Sequence, residues 1–145
     1  MDKIYDSLFA YGLHDTTVSE IRTERAGTSF YFNEGIYLLD STGKETVKSE
    51  SAWLIIGIEL FANENVYQHL SCRIYKHGKR KDVDPRYFTE KAKRSGVEIS
   101  NIFYSGFNNT VLLSGVFGND EFEFTIENVD GAEYRFGGEN YLEKQ

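Results

Sequence analysis

The sequence predicts an α+β fold: a mostly antiparallel β-sheet of about six to nine strands, curled into a sandwich or half-barrel, with two short helices near 3–11 and 85–95. Three observations predict it. Aromatic residues make up 15% of the 145 positions, and flat, bulky side chains favour a pleated surface. The C-terminal third alternates apolar and polar residues with a period of two, as in Phe122-Glu123-Phe124-Thr125-Ile126-Glu127, the signature of strands with one wet face. Short turn signals such as Asn33-Glu34-Gly35, Gly106-Phe107-Asn108-Asn109 and Asp130-Gly131 separate the apolar runs. A chain of this length can bury a core without disulfides or metal. No repeat or Pro/Gly linker interrupts it, so residues 1–145 read as one domain with a loose tail after about 138.

Taken in order, Asp2 is suited to cap the first helix, whose apolar side carries Ile4, Leu8 and Tyr11 and which Gly12 would stop. Ser29-Phe30-Tyr31-Phe32 and Ile36-Tyr37-Leu38-Leu39 flank Asn33-Glu34-Gly35 and read as a hairpin. Ser41-Thr42-Gly43-Lys44 marks the next reversal. The apolar run from Trp53 to Phe61 suits a central strand covered on both faces, with a bulge at Gly57. From Val66 to Tyr75 the alternation places Val66, Leu70, Cys72 and Ile74 on one face and Tyr67, His69, Arg73 and Tyr75 on the other. Asp84-Pro85 opens the second helix, Gly96 ends it, and Phe88 with Ala92 form a narrow apolar stripe expected of a surface helix. Strands over 97–104, 111–117 and 121–127 and a last one near 134–136, the last following a turn at Asp130-Gly131, read as a meander.

Charge and cysteine usage narrow the function. The net charge is −7. Residues 76–94 hold eight basic against three acidic side chains, so the rest of the chain holds eight against twenty. An acidic body repels nucleic acid and favours a basic protein partner. No apolar run reaches membrane-spanning length, no signal peptide is legible, and Cys72 is the only cysteine, so the expectation is a cytoplasmic protein in a reducing compartment.

No phosphate loop, dinucleotide fingerprint, zinc-knuckle spacing or nucleophile elbow is present, and no cofactor is implied. His14 followed by Asp15 is the most distinctive pair. It reads as a structural element end, or as half of a metal or acid–base site completed by His69. Cys72 lies on the apolar side of its strand and reads as an inert core thiol. The face Tyr67, His69, Arg73 and Tyr75 carries residue types common at binding hot spots. Glu121, Glu123, Glu127, Asp130 and Glu133 suggest one acidic face able to dock a cationic protein. Lys76-His77-Gly78-Lys79-Arg80-Lys81 reads as a solvated tip whose charges suppress edge pairing.

The short helix, then Leu13-His14-Asp15 with Val18 and Ile21, then Phe30-Tyr31-Phe32 and Gly35-Ile36-Tyr37, resembles a group of small bacterial domains and some immunity-protein families found beside polymorphic toxins. The aromatic strand 122–127 is similar in style. The resemblance implies a bacterial protein that binds and neutralises a toxin without catalytic residues. The expected function is therefore a non-catalytic protein-binding domain, with Tyr67, His69, Arg73, Tyr75, Glu121, Glu123 and Glu127 as its binding residues. A metal-binding or hydrolytic domain using His14 and Asp15, and a domain that pairs with itself through strand edges or the aromatic face as a homodimer, are the alternatives.

Overall fold

Alternating apolar residues build two antiparallel sheets that share one core. The computed structural model describes residues 2–137, so the expected loose tail lies outside the described residues. Helix α1 spans Lys3–Leu8 and is followed by strands β1 (Thr16–Val18), β2 (Glu20–Glu24), β3 (Gly27–Phe32), β4 (Tyr37–Leu39), β5 (Glu45–Lys48) and β6 (Ala52–Ile58). A 3₁₀ turn over Val66–His69 leads into β7 (Leu70–Lys76) and β8 (Lys79–Val83). Helix α2 (Pro85–Ser95) then precedes β9 (Val97–Ser105), β10 (Thr110–Phe117), β11 (Asp120–Ile126) and β12 (Val129–Phe136). The first sheet has six strands in the order β1-β9-β10-β11-β7-β8, the second four in the order β12-β6-β3-β2, and β4 pairs with β5 in a separate hairpin, bridged to Gly12 through Tyr37. The α+β class and the antiparallel sheets stand as expected. Among the described residues the strands number twelve rather than six to nine, because the chain changes sheets within short stretches, as at Ser19 between β1 and β2.

The inner faces meet at an edge-to-face contact between Phe30 and Phe124, with centroids 5.8 Å apart. Phe88 of α2 adds a third layer, packing its ring on Phe117, Phe122 and Phe124. With Ala92 it is fully buried, so the narrow stripe of this surface helix reaches the middle of the core. Asp84 caps α2 by accepting from the Arg86 amide at 2.8 Å, and Gly96 ends it with a φ of +73°. Strand β6 is central and covered on both faces: Leu54, Ile56 and Ile58 enter the core, while Trp53 is buried on the far side against Tyr31 and the Arg22 guanidinium.

Four expectations require correction. The first helix ends at Leu8 rather than near 11; Ser7 and Tyr5 carbonyls accept the closing bonds. Residues 29–32 and 36–39 do not form a hairpin. Strand β3 pairs with β2 and β6, and the chain leaves the sheet at Gly35 to build the separate β4–β5 hairpin. At Gly35 the φ is +88° and a Cβ would sit 2.1 Å from the Ser49 carbonyl oxygen, so the glycine serves a departure rather than a hairpin. The residues 66–75 are not one strand. Asn65 accepts from the Tyr67 amide while Gln68 accepts from the Asn65 amide, a capping box that winds Val66–His69 into a turn. Finally, Asp130-Gly131 is no turn. The reversal is at Asn128, whose φ is +56°, and Asp130 is the extra residue of an irregularity opposite Gly57. The meander therefore stops at β11, and β12 crosses to the second sheet.

Candidate protein-binding surfaces

Register decides which of the candidate residues meet. On the face of the six-stranded sheet turned away from the core, Arg73 stands opposite Glu123 and Tyr75 opposite Glu121. The Tyr75 hydroxyl donates to Glu123 Oε1 at 2.8 Å, and Arg73 Nη1 lies 3.5 Å from the same oxygen. The aromatic/cationic strand and the acidic strand, expected as two surfaces, are thus one, on which Arg73 and Tyr75 both engage Glu123. The ladder carries the pattern further: Glu121 faces Val116, which faces Glu98, and Glu123 faces Ser114, which faces Asn101. One row further along, Phe103 faces Leu112, which faces Thr125. Phe103 is 55% and Val116 40% exposed.

A shallow depression of about 370 Å³ lies in this face, lined by Tyr75, Ser100, Asn101, Ser114, Val116 and Glu121 among others. It coincides with a break in the β9–β10 register beside Gly115. A Cβ on Gly115 would lie 1.9 Å from the Glu98 carbonyl oxygen, so only glycine lets β9 approach there. The sheet edge beyond is β8, whose Lys79, Arg80, Lys81 and Asp82 are exposed and blunt pairing with another strand. Its connection to β7 is a two-residue turn at His77-Gly78 with both φ angles positive, the solvated tip expected.

Tyr67, His69 and Glu127 lie elsewhere, at the end of the sandwich. Tyr67 packs beneath the Arg86 guanidinium, 3.8 Å from its ring centre. His69 Nε2 meets Glu64 Oε1 at 3.2 Å, and its carbonyl accepts from the Glu127 amide at 2.8 Å. The capping box at Asn65 and Gln68 was the legible signal for this separation. Asp130 and Glu133 belong to β12 in the second sheet, so the five carboxylates do not share a face.

His14 and Asp15 do come together, with Nε2 and Oδ2 3.3 Å apart and both side chains about 60% exposed. His14 Nδ1 also lies 2.8 Å from the Ser100 carbonyl oxygen. The carbonyl can only accept, so Nδ1 is the donor, and Asp15 forms an ion pair with Nε2 when the ring is protonated. The Ser100 carbonyl first, then Asp15, raises the imidazole pKa above 6.5. His69 is separated from His14 by strands β10 and β11 and has its own partner in Glu64. Among the described residues, no three His, Cys, Asp or Glu side chains converge as a metal site. Cys72 is buried, and burial pushes its thiol up to about 12.

No known protein family, curated protein or solved structure matches the chain. Among the described residues no helix is long and apolar enough to cross a membrane.

Proposed function

We propose that the chain acts by binding another protein, of the kind a toxin-neutralising immunity protein binds, and that the outer face of the six-stranded sheet is the contact surface. The observation that carries the reading is two exposed apolar side chains on one face, Val116 between Glu98 and Glu121 and Phe103 two rows along, with Arg73, Tyr75 and Glu123 holding one another in place. Exposed aromatic area next to ordered polar groups is the composition of a binding hot spot and its rim. The surplus of carboxylates favours a cationic partner, whose approach it would speed. Among the described residues His14 and Asp15 have no third metal-ligating side chain beside them, so a metal-dependent reading lacks a ligand set.

The test is affinity purification from the native host with the unaltered chain and with Phe103→Asp, followed by titration of the recovered protein. A single protein retained by the first and lost by the second supports the reading. Equal retention removes this face, and recovery of no protein at all removes the function.

A further inference from the structure

One end of the sandwich gathers residues 59–69, 106–110 and 126–130, three connections with the strand ends that flank them. Backbone bonds lace them together. The Val129 amide donates to Asn109 at 2.9 Å, the Glu59 amide to Asn128 at 2.8 Å, and the Glu127 amide to His69 at 2.8 Å. Asn63, Asn109 and Asn128 all adopt positive φ, which asparagine tolerates better than most residues, so each connection turns sharply. Glu64 adds a side-chain tie, accepting from the Phe61 amide at 2.8 Å and meeting His69; these two contacts, the amide first, hold its carboxyl below the ordinary carboxylate range.

On this braced end two phenylalanines stand in solvent. Phe107 is 100% exposed and Phe61 62%. The three segments hold four carboxylates, Glu59, Glu64, Glu127 and Asp130, and no lysine or arginine. We infer that this loop end is a second docking surface, on which Phe61 and Phe107 enter an apolar recess of a cationic protein. Large rings held on ordered loops lose little entropy on binding, which suits them as anchors. The charge selects the partner: Glu59, Glu64, Glu127 and Asp130 outnumber the bordering cations Arg25 and Arg86, and this acidic surplus repels an anionic lipid surface or nucleic acid and attracts a basic protein. The inference rests on the protein-binding reading but uses residues distinct from the sheet face.

The test places a photo-crosslinking benzoylphenylalanine at position 61, 107 or 47 of the full chain in the native host. Val47, exposed on the β4–β5 hairpin, is the control. The captured protein is identified, purified and titrated against the chain, Phe107→Ala and Phe103→Asp. The expected result is one basic protein captured from 61 and 107 above the control, with affinity falling about 30-fold in Phe107→Ala and falling with added salt. Because Phe107 touches nothing buried, its loss leaves the fold intact. Capture no stronger than at position 47, an acidic captured protein, or an affinity for Phe107→Ala within about threefold of the unaltered chain overturns the inference. So does co-sedimentation with phosphatidylcholine vesicles that depends on Phe107. Loss with Phe103→Asp alone leaves the sheet-face reading standing and removes this one.

Discussion

Tyr75 and Glu123, on neighbouring strands and 48 positions apart in sequence, are joined by a 2.8 Å hydrogen bond from the phenol to the carboxylate. The same oxygen faces Arg73. Removing Glu123 leaves both donors without it, whereas removing the Tyr75 hydroxyl leaves the ion pair. Glu123→Ala is expected to lower stability by about 1 kcal/mol and Tyr75→Phe by about 0.5 kcal/mol, with a non-additive double variant. Urea unfolding of the three variants checks it. Strict additivity would show that the two side chains are not coupled.

Gly115 is the position where backbone meets backbone. A side chain there collides with the Glu98 carbonyl and with Phe122, and main chain cannot swing aside as a flexible side chain can. Gly115→Ala should cost about 2–3 kcal/mol, at the upper range of overpacking. Gly118→Ala is the comparison, since a Cβ there meets nothing and only its φ of +62° resists; it should cost about 1 kcal/mol. Thermal unfolding of both variants gives the order.

Phe88 has no exposed area to speak of and contacts three other rings. Phe88→Ala should destabilise by about 3–5 kcal/mol through the cavity it leaves. Phe107→Ala, which empties no cavity, should fall within about 0.5 kcal/mol of the parent. Chemical denaturation separates the two, and equal effects would contradict this placement of α2.

His14 should titrate above its ordinary 6.5, because the Ser100 carbonyl and then Asp15 favour the imidazolium. A pKa raised in the folded state adds stability that is complete below the unfolded value and disappears as pH rises through the folded one. NMR titration of the imidazole should therefore show a midpoint above 6.5 that drops in Asp15→Asn. A midpoint at or below the ordinary value, or one unmoved in Asp15→Asn, would show that these two neighbours do not favour the imidazolium.

Much of the fold was legible because its signals are local. Asp84-Pro85 and Gly96 bracket α2, and the alternation at Phe122, Phe124 and Ile126 aims that strand's apolar side at the core. The binding candidates were legible as residue types but not as a site. Reading 66–75 as one strand placed Tyr67 and His69 beside Arg73, although the Asn65–Gln68 capping box, itself only four residues long, separates them. The acidic residues from 121 to 133 looked like one face because nothing in the chain between them announces that β12 changes sheets.

The sequence by itself determined the α+β class, the antiparallel run of β9, β10 and β11 and the burial of Cys72, since each depends on side-chain rhythm and turn chemistry within a few residues. Only the tertiary structure decided that Tyr75 and Arg73 share Glu123, that His14 Nδ1 meets the Ser100 carbonyl, and that Phe61 and Phe107 share an end of the sandwich. Those outcomes depend on which distant strands pair and in what register, and pairing energy comes from the whole buried core rather than from any short stretch of chain.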